Sequence, residues 1–137
     1  MTKEEFFEKV KSVDFESIIK RITQENPNIA RVWTEEGARD AVEQYKKFMF
    51  LIYKYNKEGR DLIPSIEIDE IWHHHILDTI NYKKDCENIY GYFIHHSPSS
   101  GARVSAADAL ETFDERFMKT QQFYFEEFGE YMYEVDF

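Results

Sequence analysis

At 137 residues with a formal net charge of -10, the chain is the size of one domain and repels phosphate backbones and anionic lipid heads. No Lys/Arg cluster offsets that repulsion, so neither nucleic acid nor a membrane is an expected partner, which leaves a small molecule or another protein. The single cysteine, Cys86, excludes an intramolecular disulfide; the acidic start MTKEEFFEKV is unlike a signal peptide, no run of about eighteen apolar residues occurs, and a cytoplasmic protein is expected.

Thr2 and Glu5 form a capping box ahead of Phe6, Phe7 and Val10, which predicts a short first helix. After Asp14, a candidate N-cap, Phe15, Ile18, Ile19 and Ile22 recur at helical spacing, so two short helices are expected before Pro27. Thr34 caps the next segment, in which Ala38, Ala41, Val42, Tyr45, Phe48, Met49 and Ile52 mark one face of a helix that should stop near Asn56 or Gly59, with Pro64 beyond. A long helix is predicted from Ile66 or Ile68 to Ile89, followed by YGYFIHHSPSSG, which runs through Gly91 into a Pro/Ser/Gly loop. Ser105 with Asp108 signals a last start, and Leu110, Phe113, Phe117, Tyr124 and Phe128 mark a final helix to about Gly129. No segment alternates with period two and no repeat is evident. The expectation is an all-α fold, a compact single-domain bundle of about five to six helices across residues 1–137. The 12 Phe and 9 Tyr predict a bulky core in which buried Tyr hydroxyls need partners.

All 5 histidines lie between His73 and His96: His73, His74, His75, His95 and His96. On one continuous helix, His75, Asp78, Tyr82 and Asp85 share a stripe with Ile71, flanked by Trp72, Thr79 and Cys86. His73 and His75 stand roughly 200° apart on such a helix, so they do not chelate one ion together. An imidazole, two carboxylates and a phenol on one face are acid-base groups and metal ligands by type. His75 and Asp78 are first candidates for a divalent metal, zinc or iron, with His96 or His95 closing the sphere from the following turn and His73 the competing ligand beside Asp69 or Glu70. Tyr82 and Asp85 would then orient ligands or carry protons as catalytic candidates. Equally, His75, Asp78 and Tyr82 form a hydrogen-bonded network that fixes the helix to its neighbours, with Trp72 as core filling and His74 solvated.

Weaker motifs add little. Glu70 with His73 is a single Glu-x-x-His where di-iron bundles use two. Cys86 among aromatics reads as a buried, inert thiol. Glu126, Glu127, Glu130 and Glu134 read as solvated helix faces.

The run P-S-I-E-I-D-E-I-W-H-H-H-I-L-D-T-x-x-Y-x-x-D-C, followed by F-I-H-H-x-P, resembles the glycine-rich domain-containing protein-like family, with Pro64, Asp69, Trp72, His73, His75, Tyr82, Asp85, Cys86 and His96 in the match. Tyr45 and Phe48 extend the likeness, which covers about residues 30–130. The resemblance implies that the Trp-His-x-His and His-His-x-Pro elements belong to one recurring unit; it implies no reaction. The functional expectation is therefore a metal-binding helical domain, in its strongest form a small metalloenzyme. A non-catalytic interaction domain, docking through aromatics such as Tyr131, Tyr133 and Phe137, is the alternative, and a metal-free acid-base enzyme using the same stripe is the third.

Overall fold

The computed structural model describes residues 1–25, 32–55, 62–96 and 113–134. Helices span Lys3–Val10 (α1), Phe15–Ile22 (α2), Glu35–Tyr55 (α3), Ile66–Leu77 (α4), Thr79–Ile89 (α5) and Phe113–Phe128 (α6), and the described residues contain no strand. The all-α expectation holds.

Five of these starts follow from local chemistry. The first amides of a helix have no partner within it, and a side-chain oxygen just upstream supplies one. Thr2 and Glu5 bond reciprocally at 3.1 and 3.2 Å, completing the capping box. Asp14 accepts from the Ser17 amide, Thr34 from Gly37 and Ser65 from Ile68, at 3.1, 3.1 and 3.2 Å. Asp78 does the same for α5. Two ends are equally local. Gly91 (φ 83) and Gly129 (φ 72) take the left-handed conformation that closes α5 and α6, with their amides returning to Glu87 and Phe125.

Asp78 corrects the long helix predicted from Ile66 to Ile89. Its backbone (φ -87, ψ 76) leaves the helical region, and its carboxylate accepts from the Asn81 amide at 3.4 Å and side chain at 2.6 Å. Aspartate favours such local bonds over a helix interior. At the same junction Arg21 donates to the His74 carbonyl at 3.2 Å, giving a terminal acceptor of α4 a cationic partner. The apolar periodicity runs on through the break, so it gives no warning of it.

In the second half of α3, Phe48, Met49, Phe50, Leu51 and Ile52 are all buried, because this helix has neighbours on every side. It packs against α1, α2, α4 and α6, while α5 lies on α4 and α1. Phe6 meets Phe50 edge-on at 5.3 Å, and Phe48 meets Trp72 at 5.6 Å. Burying each such ring contributes about 2 kcal/mol or more. Glu127, expected to be solvated, is instead largely buried: Lys3 and Lys54 pair with it and Tyr55 donates to it at 2.8 Å. No described helix is long and apolar enough to cross a membrane. Pro27, Gly59, the Pro/Ser/Gly loop from 97, the Ser105/Asp108 cap, Leu110 and Phe137 lie outside the described residues.

Removing the Asp78 cap by Asp78→Ala lowers Tm by about 3 °C, and Asp78→Asn recovers most of the loss. Thermal unfolding followed by circular dichroism checks this; an unchanged Tm in the alanine variant would show that the cap does not define the α4–α5 junction.

Candidate functional site

Because the helix breaks at Asp78, His75 of α4 faces Asp85 of α5. His75 Nε2 lies 2.8 Å from Asp85 Oδ2, and Nδ1 lies 2.7 Å from the hydroxyl of Tyr45 on α3. A carboxylate accepts, so Nε2 carries the proton in the neutral ring and Nδ1 takes the hydrogen bond that Tyr45 donates. The His75 side chain is 4% exposed. Phe15, Tyr45 and Tyr82 pack around its ring at 6.1, 5.7 and 4.8 Å. Burial holds the Tyr45 phenol well above its ordinary pKa, so it stays a neutral donor at physiological pH.

A second chain of bonds runs beside the first. Trp72 Nε1 donates to the Tyr82 hydroxyl at 3.1 Å, and that hydroxyl donates to the Ile94 carbonyl at 2.6 Å. Burial pushes the Tyr82 phenol well up, as it does the adjacent Cys86 thiol. These bonds tie α4, α5 and the segment after Gly91 together. On the outer side His96 lies flat on Trp72, centroids 3.8 Å apart, and its Nε2 is 2.6 Å from Asp69 Oδ1. This pair is open to solvent, with side-chain exposures of 18% for His96 and 41% for Asp69.

Among the sequence candidates, His75, Tyr82 and Asp85 are therefore brought together. Asp78 is exposed at its cap, and His96 sits across Trp72 from His75. His73 is exposed with its ring 5.6 Å from His74, and His95 is exposed against Phe93 at 4.7 Å. Among the described residues no three His, Cys, Asp or Glu side chains converge where one metal ion could be held. The pairings of Tyr45 with His75 and of Asp69 with His96 do not follow from sequence spacing. The signal for Tyr45 was a tyrosine on a core face, whose hydroxyl must find a bond.

His74, expected to be solvated, is buried at 8% exposure. Its Nδ1 has no hydrogen-bond partner among the described residues, and burial, with Arg21 and His73 adding to it, pushes its pKa down to about 4. The unfolded chain takes up this proton near the ordinary value of 6.5, the folded chain only near 4. Across that window the unfolded state binds more protons, so the contribution is fully present above pH 6.5 and is lost as pH falls.

A family model described as UCP032817-like matches residues 4–126. The chain is 30% identical over 127 residues to Glycine-rich domain-containing protein 1 of Arabidopsis thaliana, covering 89% of this chain and 15% of that protein. It is 29% identical over 109 residues to Glycine-rich domain-containing protein 2 of the same plant, covering 77% of this chain and 14% of the relative. The chain thus spans about 15% of the length of these curated relatives. No solved structure matches.

Replacing His74 by leucine removes a buried titrating group from a site with no hydrogen bond to lose at Nδ1. His74→Leu is expected to hold wild-type stability at pH 7 to within about 1 kcal/mol. It should also flatten the decline in stability from pH 6.5 to 4. Urea midpoints across that range decide it, and parallel curves for the two proteins would refute it.

Proposed function

This chain belongs to the UCP032817-like family and is related to the glycine-rich domain-containing proteins, and from that premise we propose that it is a non-catalytic interaction module whose buried histidine network is a structural lock. The observation that carries the reading is the commitment of both ring nitrogens of His75, one to Tyr45 and one to Asp85, in a side chain almost closed to solvent. A general base or metal ligand needs a lone pair that substrate or ion can reach, and the accepting nitrogen here is already occupied. The relatives fit this reading, because the matching segment is a small part of each and a module that presents a surface can be carried in a longer chain. The surface it presents is rich in exposed rings: Tyr92, Phe93, Phe125, Tyr131 and Tyr133.

A second reading keeps the metal, at the rim rather than at His75. It is favoured by the solvent-open Asp69–His96 pair, with His73 one turn along from Asp69 and His95 next in the chain. There a zinc or iron ion would have to draw in these side chains.

One set of measurements separates the two. His75→Ala leaves the Tyr45 hydroxyl and Asp85 without their shared partner and costs about 3 kcal/mol, roughly 10 °C in Tm. Protein purified without an affinity tag is expected to hold no stoichiometric metal, and zinc or iron should not raise Tm. A rise in Tm that Asp69→Asn and His96→Ala each abolish would move the conclusion to the second reading. Stoichiometric metal lost on His75→Ala would overturn the lock.

A further inference from the structure

Beyond Gly129 the chain turns back and runs extended across α3 and α6, and two glutamines hold it by its backbone. Gln121 on α6 accepts from the Met132 amide at 2.7 Å and donates to the Met132 carbonyl at 2.9 Å. Gln44 on α3 does the same for the next residue, accepting from the Tyr133 amide at 3.0 Å and donating to its carbonyl at 3.1 Å. In an extended chain the polar groups of successive residues point to opposite edges, so each glutamine stands where a neighbouring strand would. Both carboxamides are oriented unambiguously, since one end meets an N–H and the other a C=O. Gln44 is 2% exposed and lies on a helix whose other buried side chains are apolar or aromatic.

Side-chain recognition is sparse by comparison. Met132 is buried, whereas Tyr131 and Tyr133 are about half exposed, Tyr131 stacking on Phe125 at 4.7 Å. Glu130 pairs with Lys47 of α3. The groove thus reads main chain first, then one unbranched apolar residue, with a basic group for an acid two residues before it.

We propose that the groove between α3 and α6 is a receptor site for an extended peptide of a partner protein. That peptide would carry an acid two residues before an unbranched apolar residue, and residues 130–133 of the chain itself fill the site in its absence. The proposal rests on the interaction reading and supplies the chemistry of its partner. Four backbone bonds and an apolar anchor are the means by which proteins capture extended peptides along a sheet edge. Here the edge is built from two glutamine side chains on helices. Charge complementarity between Lys47 and Glu130 sets the direction and register.

The test uses the full chain and a fluorescently labelled peptide of sequence EYMYEVDF, which is residues 130–137. A docked tail leaves few grooves open, so the wild-type chain binds the peptide weakly. Met132→Ser loosens the tail without altering either glutamine, and it should bind the labelled peptide at least about tenfold more tightly. Methylating the peptide nitrogen that corresponds to Tyr133 removes the donor to Gln44 and is expected to abolish binding while every side chain stays the same. Equal binding by the two proteins, or undiminished binding of the methylated peptide, would overturn the proposal. So would concentration-dependent dimerisation of the Met132→Ser chain that excludes the peptide, since the groove would then belong to a second copy. These outcomes leave the histidine lock to its own test, the stability of His75→Ala.

Discussion

The helix break at Asp78 is the constraint on which the polar interior depends. On an unbroken helix His75 and Asp85 would stand about 15 Å apart along the axis, beyond the reach of both side chains. With the helix broken at Asp78 they meet at 2.8 Å. The same break places Tyr82 edge-on to His75 and sends its hydroxyl to Ile94, so the segment after α5 is drawn onto α5. One aspartate satisfying its own downstream amide therefore decides which side chains of the next three turns become neighbours. The Arg21 bond to the His74 carbonyl supports that junction from α2.

What gathers at the junction is a set of polar groups removed from water together. A buried hydroxyl without a partner costs about 1–3 kcal/mol, and Tyr45, at the centre of the longest helix, would carry that cost alone if His75 did not accept from it. The imidazole suits the position because in the neutral ring its two nitrogens differ: one donates to the carboxylate of α5 and the other accepts from the phenol of α3. Three helices are thereby joined through a single ring. The upward pKa shifts of Tyr45 and Tyr82, both caused first by burial, keep the phenols as fixed donors, as a structural network requires.

Capping chemistry and apolar spacing made most of the architecture legible, because both are local. Thr2, Asp14 and Thr34 announce their helices, and every α3 residue that the periodicity marks is buried, although Gln44, Phe50 and Leu51, off that pattern, are buried too. Asp78 is able to cap, but it stands where the apolar pattern continues, and that pattern hides the break. His75 and Asp85 both stand out in the sequence, but the shared helical face that marks them does not exist. Their actual meeting is tertiary, as is that of His96 with Asp69 across Trp72, and neither spacing nor composition encodes it. The burial of His74 is hidden for a related reason: a histidine between two others has no periodic signature, and its burial follows from where α2 packs on α4.

The glutamine clamp and the histidine lock answer the same physical demand in ways that differ in reversibility. At His75 every partner belongs to a helix packed into the core, so separating them requires unfolding. At Gln44 both partners belong to the main chain of one extended segment anchored by a single methionine. Should that segment leave, a carboxamide that is now 2% exposed loses two bonds at once, and unless water or another backbone replaces them the cost is again about 1–3 kcal/mol for each group left unpaired. The groove is therefore unstable when empty yet indifferent to most of the side chains that fill it, and those two properties together are what a site for exchangeable peptides needs.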